Sequence, residues 1–413
     1  MRMLIKGKTV LTGEVEISSS KNAILPILAA SLLTDDKVEI RKVPNINDVV
    51  IITKLLDQLG TKTKHYRNTL MLSGESISTN PPYELVRQIR ASVLIMGPLL
   101  ARQGKVRVAL PGGCAIGTRP IDLHLKGFHA LGADITLHSG DLVAKANDLI
   151  GTHIYLDYPS VGATENIMMA ASMAKGISYI ENAALEPEVV DLANFINSMG
   201  GKVSGAGTNV IKIEGVKQLK GVKYTPIPDR IEAGTYMVAV AATGGDAIIK
   251  NVIPEHLKAI TSKLIESGAD VIEGEDNLQV RREAEIKPVY IKTLPYPGFP
   301  TDMQAQFMAY LSRSHGSSVV SESVFENRFM HVQELSRMGA NIKTEGKTAI
   351  IRGVRKLTGA QVKASDLRAG AALVIAGLTA QGNTILQESQ HVDRGYEKIT
   401  SKLNAMGAQI ENK

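Results

Sequence analysis

The only cysteine of the chain stands in a loop that lets the backbone approach a ligand closely. Cys114 lies in the segment LPGGCAIGTRPIDLH, residues 110–124, and Arg119 follows it by five positions. The glycines allow close backbone approach, and the arginine supplies a forked donor for phosphate or carboxylate. Nearby positive charge favours the reactive thiolate. A free cysteine is also commonly a small buried hydrophobe, so a catalytic and a packing interpretation are both open.

Charged residues recur at the starts of apolar, small-residue-rich segments that we predict as buried helices. These positions are Lys21, Arg90, Thr164-Glu165, Arg230, Asp302 and Arg368. A helix N-terminus attracts anions, so a basic side chain placed there gives up a favourable interaction. Such a violation of a local rule indicates function. The simpler interpretations are a helix cap for Asp302 and surface or ion-paired roles for the arginines.

A second charged set follows the strands that come after those helices. It consists of Asp48, Cys114 with Arg119, Glu186, Glu255-His256, Glu326 with Arg328, and Asp393-Arg394. Recurrence of charge at the same repeat position favours a cleft for a polyanionic ligand. Glu186 and Glu188 also fit as solvated charges, and His124 and His129 as packing or surface residues.

A sixfold internal repeat positions these residues. Apolar helical runs end in glycine at positions 60, 132, 200, 268, 339 and 407, with separations of 68 to 72 residues. Glycine at such an end is the expected left-handed helix cap. The strands that follow the buried helices start near Val38, Val106, Ser178, Ala247, Ser318 and Thr384. Each unit therefore reads as βαβαββ, and the class is α/β (α+β) with three units in each half.

The boundaries of the halves follow from turn residues. The segment 223–230 is rich in proline and predicts the mid-chain boundary. A first strand over 3–16 precedes the first buried helix, so the pattern allows it to belong to either half.

Composition narrows the function classes. The net charge of +6 suits anionic small molecules, and the absence of basic blocks and recognition motifs disfavours nucleic acid. The longest apolar run, near 91–101, is too short to span a bilayer, and the first residues lack the apolar core of a signal peptide. One cysteine excludes an internal disulfide and fits a reducing cytosol. No metal-ligand motif is present, so no metal is expected.

Seven motifs, in order along the whole chain, carry a family resemblance. They are SKNA at 20–23, the cysteine loop, PSVGATEN at 159–166, PDRIEAGT at 228–235, GFPTDMQ at 298–304, FENRFMH at 325–331 and DLRAG at 366–370. With these motifs the chain resembles the UDP-N-acetylglucosamine 1-carboxyvinyltransferases, the enolpyruvyl transferases of bacterial peptidoglycan synthesis. The related enzymes that act on shikimate 3-phosphate lack this cysteine loop.

The resemblance implies a cytoplasmic enzyme made of two inside-out α/β domains, each with three βαβαββ units. One domain would comprise residues 1–18 plus 229–413, and the other residues 19–228, with the active site between them. The implied ligands are UDP-N-acetylglucosamine and phosphoenolpyruvate. Neither a cofactor nor a metal is implied, because lysine and arginine can meet the substrate charges. Nucleic-acid binding and membrane insertion are not expected.

The implied reaction is addition–elimination. The 3′-hydroxyl of the sugar attacks C2 of phosphoenolpyruvate while C3 is protonated, and the tetrahedral intermediate then loses phosphate. Asp302 matches the residue that takes the hydroxyl proton. Cys114 matches a thiol that serves as proton donor or aids product release, and that forms a covalent adduct with phosphoenolpyruvate. Lys21, Arg119 and Arg394 match residues that hold phosphoenolpyruvate, with Arg368 close by.

The resemblance also implies contacts to the sugar nucleotide. The matching positions are Asn22, Arg90, Arg119, Pro120, Ile121, Asp122, Leu123, Ser160, Val161, Gly162, Thr301 and Val324, with Asp48 and Glu186 as further carried-over positions. Two alternatives remain open at this point. One is a non-catalytic paralogue that binds the nucleotide and regulates a partner, although the chain retains both Cys114 and Asp302. The other is enolpyruvyl transfer to shikimate 3-phosphate.

Overall fold

The computed structural model describes residues 1–74, 77–109 and 120–413. Within these ranges the strands are β1 (Arg2–Lys6), β2 (Thr12–Glu16), β3 (Val38–Ile40), β4 (Lys62–Tyr66), β5 (Thr69–Ser73), β6 (Lys105–Ala109), β7 (Asp134–His138), β8 (Asp141–Lys145), β9 (His153–Tyr155), β10 (Ile177–Glu181), β11 (Lys202–Ser204), β12 (Val210–Glu214), β13 (Lys223–Tyr224), β14 (Asp246–Lys250), β15 (Asp270–Glu273), β16 (Asn277–Arg281), β17 (Tyr290–Lys292), β18 (Ser317–Ser321), β19 (Asn341–Glu345), β20 (Thr348–Arg352), β21 (Gln361–Lys363), β22 (Asn383–Gln387) and β23 (Ile410–Asn412).

The α-helices in the same ranges are α1 (Lys21–Ala30), α2 (Asn47–Gln58), α3 (Tyr83–Gln88), α4 (Met96–Gln103), α5 (Asp122–Ala130), α6 (Val161–Ala171), α7 (Pro187–Ser198), α8 (Arg230–Thr243), α9 (Lys258–Glu266), α10 (Gln304–Leu311), α11 (His331–Arg337), α12 (Leu367–Thr379) and α13 (Ile399–Ala405). Short 3₁₀ helices cover Ser31–Leu33, Arg90–Ile95, Pro254–Leu257, Thr301–Met303 and Ser389–Arg394.

The chain forms two compact units. The C-terminal unit consists of Met1–Ser18 together with Pro228–Lys413, and the N-terminal unit consists of the described residues between Ser19 and Ile227. Each unit has its own hydrophobic core of buried side chains. The C-terminal unit is therefore built from two distant stretches of chain.

Among the described residues, each unit contains three small sheets. In the C-terminal unit the strand orders are β21-β22-β1-β23, β15-β16-β14-β2 and β17-β18-β20-β19. In the N-terminal unit they are β11-β12-β10-β9, β13-β3-β5-β4 and β6-β8-β7. Five of the six sheets have one parallel pair followed by two antiparallel pairs. This order fits the predicted βαβαββ pattern in five sheets, whereas the described strands of the sheet β6-β8-β7 form antiparallel pairs only.

One buried helix accompanies each sheet, and its composition explains its position. In α8, 13 of the 14 residues are buried, because the helix is apolar or small nearly all round. Within the C-terminal unit α8, α10 and α12 contact one another, and within the N-terminal unit α6 contacts α1 and α4. Gly97 permits close packing of α4 against α6, since a Cβ there would lie 2.3 Å from the carbonyl oxygen of Asn166. These apolar helices therefore lie in the interior of each unit.

The six glycines predicted as helix caps all adopt the left-handed region, with φ between 91° and 105°. The strands predicted after the buried helices are present as β3, β6, β10, β14, β18 and β22. Local patterns therefore predicted both the periodicity and the helix ends.

The single first strand predicted over 3–16 is wrong. The chain forms β1 and β2, which belong to different sheets of the C-terminal unit. Lys8 between them has φ of 57°, and a Cβ on Gly7 would lie 2.0 Å from the carbonyl oxygen of Ala380. Gly7 packs tightly against the backbone at Ala380, and Lys8 adopts a left-handed conformation, so the chain turns here. One continuous strand over 3–16 is therefore not possible.

Hydrogen bonds within each unit fix the ends of the chain segments that pass between the units. In the C-terminal unit the Asp229 N–H donates to the Ser18 carbonyl at 2.9 Å, and in the N-terminal unit the Ser20 N–H donates to the Ile227 carbonyl at 2.7 Å. In the latter unit the buried Asp191 carboxylate also accepts from the Ile227 N–H at 3.1 Å. Among the described residues, no helix has the length and apolar character needed to cross a bilayer.

Candidate functional site

The carboxylate of Asp302 lies between two buried arginines in the C-terminal unit. Its Oδ1 is 2.8 Å from Nη2 of Arg328, and its Oδ2 is 2.8 Å from Nη2 of Arg368. The arginine side chains are 3% and 5% exposed, whereas that of Asp302 is 25% exposed. The carboxylate therefore retains access to solvent while its two cations are shielded. Because charges shielded from water interact more strongly than solvated ones, the burial of the two arginines strengthens their attraction for an anion.

The capped start of α12 and a hydrogen bond to Tyr396 hold the Arg368 side chain next to the Asp302 carboxylate. Asp366 caps α12 by accepting from the backbone N–H groups of Arg368 and Ala369 at 2.9 and 3.1 Å. The guanidinium donates from Nη1 to the Tyr396 hydroxyl at 3.1 Å. Burial disfavours the charged guanidinium, but the carboxylates of Asp302 and Asp229 and the Tyr396 hydroxyl outweigh this and raise the pKa of Arg368. Arg368 is thus a fixed, permanent cation.

A buried polar network holds the other side of the site. Nε2 of Gln306 on α10 donates to the Asp302 carbonyl at 2.8 Å and to Oγ1 of Thr235 at 3.2 Å. The hydroxyls of Thr235 and Tyr396 are 2.9 Å apart. The network joins α8 and α10 to the residue that contacts Arg368. Buried networks of this kind rigidify the groups they connect.

Glu322 connects two further predicted site residues. Its Oε2 accepts from Oγ1 of Thr301 at 2.9 Å, and its Oε1 accepts from the Val324 N–H at 2.8 Å. Thr301 directly precedes Asp302. The structure therefore brings together Thr301, Asp302, Val324 and Arg368, four of the positions that the sequence singled out. Arg394 ends a 3₁₀ helix two residues before Tyr396.

In the N-terminal unit, Lys21 pairs with Asp48. Lys21 is the first residue of α1, and the Ser20 side chain caps this helix by accepting from the Ala23 N–H at 3.3 Å. Nζ of Lys21 is 3.0 Å from Oδ2 of Asp48, which is 4% exposed and lies in the first turn of α2. The carboxylate offsets the unfavourable position of a cation at a helix N-terminus. Asn22 follows Lys21 and is half-buried.

A second cluster of predicted residues surrounds His124 on α5. A Cβ on Gly162 would lie 3.3 Å from Cε1 of His124, so the start of α6 packs against this ring. Ser160 caps α6 by accepting from the Ala163 N–H at 3.3 Å. Burial, with a smaller contribution from Arg90, lowers the pKa of His124 to about 3. His124 is therefore neutral and serves packing, as the simpler interpretation held.

The Asn166 amide orders this cluster. Its Nδ2 donates to Nδ1 of His124 at 3.0 Å and to the Val93 carbonyl at 2.9 Å, and its Oδ1 accepts from the Gly97 N–H at 2.7 Å. The amide therefore ties α6 to the segment that starts at Arg90 and to α5. Of the residues before His124, Ile121 is buried, Leu123 is half-buried, and Pro120 and Asp122 are exposed.

Two simpler interpretations are wrong. Asp302 does not cap its helix, because its carboxylate is engaged by the two arginines and Pro300 occupies the cap position. Glu188 is not a solvated charge, since it is 2% exposed. The pKa of Glu165 is raised well above its usual range by burial and by the Glu188 and Glu186 carboxylates, which places Glu186 in an acidic group at the start of α6 and α7.

Some predictions fall on residues that the structure does not describe. Cys114 and Arg119 lie outside the described residues, so their placement stays a prediction. Several side chains that contact the predicted site residues were not predicted from the sequence. Arg328 stood in the charged loop set, but nothing in the sequence paired it with Asp302. Glu322, Gln306 and Tyr396 were not predicted, because the contacts that connect them to other segments are made with residues distant in the sequence, namely Thr301, Thr235 and Arg368.

The chemistry of the Asp302 group combines a base with anion binding. Both arginines stabilise the charged form of the Asp302 carboxylate, which opposes transfer of a proton to it while the two ion pairs are intact. Planar guanidinium groups also bind phosphate and carboxylate in a forked geometry. A ligand anion would compete with Asp302 for the arginines, and the carboxylate oxygens would then become available to a hydroxyl proton.

Comparison with known proteins gives consistent results. The family model described as EPSP synthase (3-phosphoshikimate 1-carboxyvinyltransferase) matches residues 5–403. The chain is 59% identical over 413 residues to UDP-N-acetylglucosamine 1-carboxyvinyltransferase 2 of Carboxydothermus hydrogenoformans, with 99% of each chain covered. It is 55% identical over 412 residues to UDP-N-acetylglucosamine 1-carboxyvinyltransferase 1 of Caldanaerobacter subterraneus subsp. tengcongensis, covering 100% of this chain and 99% of the relative.

A solved structure has the same fold. The enolpyruvyl transferase NikO from Streptomyces tendae superposes with a TM-score of 0.89 at 22% identity, covering 99% of this chain and 98% of NikO. At this identity the likeness concerns the fold alone.

Proposed function

Because this chain belongs to the UDP-N-acetylglucosamine 1-carboxyvinyltransferases of the EPSP synthase family, we propose that it transfers the enolpyruvyl group of phosphoenolpyruvate to UDP-N-acetylglucosamine. The products are the 3′-enolpyruvyl ether of the sugar nucleotide and inorganic phosphate. The observation that carries the proposal is the end-to-end identity of 59% to a relative of that name. The proposed reaction is the first committed step of peptidoglycan synthesis, takes place in the cytoplasm and requires no cofactor.

Asp302 is the general base for the addition step. The 3′-hydroxyl forms a bond to C2 of phosphoenolpyruvate, its proton passes to the Asp302 carboxylate, and C3 gains a proton. Partial exposure of Asp302 supports this role, since the sugar hydroxyl has to reach an oxygen atom. In the elimination step C3 loses a proton, the C2–O bond to phosphate breaks, and the enolpyruvyl double bond forms.

Basic residues hold phosphoenolpyruvate. We assign this role to Lys21, Arg119, Arg368 and Arg394. Binding of the substrate phosphate or carboxylate by Arg368 would weaken its ion pair with Asp302, so substrate binding and base activation are coupled. Fixed cations stabilise the charge that develops on the phosphate and carboxylate without reorganisation.

Cys114 acts on the same substrate. Its thiol is the proton donor to C3 or aids release of the product, and it forms a covalent adduct with phosphoenolpyruvate. Two features of the sequence support this role: glycines flank Cys114 and allow close backbone approach to an anion, and Arg119 supplies a positive charge five positions away. An electrophilic epoxide phosphonate such as fosfomycin would alkylate this thiol.

The remaining predicted residues bind the sugar nucleotide. They are Asn22, Asp48, Arg90, Arg119, Pro120, Ile121, Asp122, Leu123, Ser160, Val161, Gly162, Glu186, Thr301 and Val324. Two groupings within the units support this assignment. Glu322 joins Thr301 to Val324, and the His124 packing places the start of α5 beside the start of α6. Asp48 contributes by holding Lys21.

The substrate that receives the enolpyruvyl group distinguishes the proposed reaction from transfer to shikimate 3-phosphate. The family model carries the name of an enzyme that acts on 3-phosphoshikimate, whereas the sequence relatives at 55% and 59% identity carry the name of the sugar-nucleotide enzyme. High identity over whole chains is the stronger guide to the acceptor. Competition between UDP-N-acetylglucosamine and shikimate 3-phosphate in a product assay tests the choice directly. Binding of the sugar nucleotide without turnover would instead support a non-catalytic paralogue.

A further inference from the structure

Glu322 has a buried carboxylate that forms no ion pair with any residue that the structure describes. It is 2% exposed and follows directly on β18. A buried carboxylate is costly unless hydrogen bonds satisfy its oxygens. Four donors do so here, and all four are neutral. They are Oγ1 of Thr293 at 2.8 Å, Oγ1 of Thr301 at 2.9 Å, and the N–H groups of Val324 at 2.8 Å and Phe325 at 3.2 Å.

These donors lie on both sides of the Asp302–Arg328 pair. Thr301 is the residue before Asp302. Phe325 lies three residues before Arg328, and the guanidinium carbon of Arg328 is 5.3 Å from the centre of its ring. Glu322 therefore holds the two segments that carry the two partners of this ion pair. A shift of either segment would change the 2.8 Å contact between Asp302 and Arg328.

We propose that Glu322 is the positioning residue that sets the Asp302–Arg328 geometry and the placement of Thr301 and Val324. It acts through its hydrogen bonds and not through its charge. The inference rests on the proposed enolpyruvyl transfer and deepens it by naming a residue that the reaction depends on without touching the reacting atoms.

The isosteric amide separates hydrogen bonding from charge. In Glu322→Gln the amide oxygen can accept from Thr293, Val324 and Phe325, and the amide nitrogen can donate to the Thr301 hydroxyl, which also accepts hydrogen bonds. All four connections remain while the charge is lost. In Glu322→Met the volume is similar, but all four connections are lost.

The kinetic expectations follow from this difference. Glu322→Gln should keep kcat within about fivefold of the unmodified chain. Glu322→Met should lower kcat by about 10²-fold, as expected when a reacting group is misplaced by about 1 Å. It should also raise the KM for UDP-N-acetylglucosamine roughly tenfold, the effect of losing about one hydrogen bond. The KM for phosphoenolpyruvate should stay within about threefold, because general loosening of the unit would change both KM values.

The matched control is Ser318→Ala. Ser318 is 1% exposed on the same strand, and its hydroxyl accepts from the Val289 N–H at 3.2 Å, away from Asp302. This variant should keep the kcat of the unmodified chain. If Glu322→Met fails to fold by circular dichroism, Thr301→Val replaces it, since it removes the link from Glu322 to the Asp302 segment. This variant should lower kcat roughly tenfold.

The outcomes distinguish the inference from the reaction on which it rests. An unmodified chain without turnover contradicts the proposed function. With an active unmodified chain, folded Glu322→Met at full kcat, or Glu322→Gln as impaired as Glu322→Met, overturns the positioning role alone. Where Glu322→Met does not fold, full kcat in Thr301→Val overturns it in the same way.

Discussion

Oδ2 of Asp302 lies 2.8 Å from Nη2 of Arg368, so the proposed base is held by a cation that is also proposed to bind the substrate. The Arg368 guanidinium stabilises the charged form of the carboxylate, and this opposes transfer of a proton to it. Under the proposed mechanism, a phosphate or carboxylate that binds Arg368 would weaken this ion pair, so activation of the base would depend on the presence of phosphoenolpyruvate.

Replacement of Asp302 tests the base directly. Asp302→Asn keeps the size of the side chain but removes the proton acceptor. We expect turnover to fall by about 10²-fold or more, while calorimetry still detects binding of UDP-N-acetylglucosamine. Asp270→Asn, an exposed position in the same unit, is the matched control and should leave turnover unchanged. Turnover equal to that of the unmodified chain in Asp302→Asn would remove Asp302 from the mechanism.

Replacement of Arg368 tests the shared cation. In Arg368→Lys a single ammonium cannot contact Asp302 and the Tyr396 hydroxyl in the forked geometry that the guanidinium has. We expect kcat/KM for phosphoenolpyruvate to fall by roughly 10- to 100-fold, measured by steady-state kinetics. Arg281→Lys, at an exposed ion pair, should have no effect. An unchanged kcat/KM for Arg368→Lys would show that a single positive charge at this position is enough, and that the forked geometry of the guanidinium is not needed for the reaction.

Fosfomycin tests the assignment of Cys114. We expect time-dependent loss of activity and a covalent mass increase on the peptide that contains this residue. Cys114→Asp should resist the inhibitor, because it has no thiol to open the epoxide. Equal inactivation of the unmodified chain and the variant would place the modification elsewhere.

Asp191 gives a prediction about stability and pH. This carboxylate on α7 is 2% exposed and accepts from the Tyr224 hydroxyl at 2.6 Å. Burial raises its pKa to about 6 from a usual 3.8. The folded protein therefore binds this proton more tightly than the unfolded chain does. The resulting stabilisation is present below about pH 4 and is lost as pH rises through 6, with a total on the order of 3 kcal/mol.

Urea unfolding of Asp191→Asn between pH 4.5 and 7.5 measures this effect. The amide does not titrate, so the variant should gain stability relative to the unmodified chain as pH rises, with the gain complete above about pH 7. A constant offset from lost hydrogen bonds does not change with pH. Parallel stability curves over the whole range would contradict the raised pKa.

The sequence predicted those features that depend on local pattern. Six glycine caps and six strands lie where the repeat placed them, because a helix end or an apolar strand is encoded within a few residues. The break between β1 and β2 was not predicted, since it depends on Gly7 packing against Ala380, a residue far along the chain.

The candidate site likewise has a part that the sequence predicted and a part that it did not. The charged positions at helix starts were visible in the sequence, but their partners were not. Arg328 is 26 positions from Asp302, and Arg368 is 66 positions from it. Only folding of the C-terminal unit brings the three side chains together. Glu322 stands in an ordinary polar stretch after a strand, and its function follows from donors that come from three separate segments.

Phosphate release is the measurement that tests the central claim most directly. The purified chain is incubated with phosphoenolpyruvate in the presence and absence of UDP-N-acetylglucosamine, and phosphate and the enolpyruvyl ether are quantified. We expect release only when the sugar nucleotide is present, with one phosphate formed for each enolpyruvyl ether. Absence of release across a range of pH and salt, or release that requires shikimate 3-phosphate instead, would contradict the account.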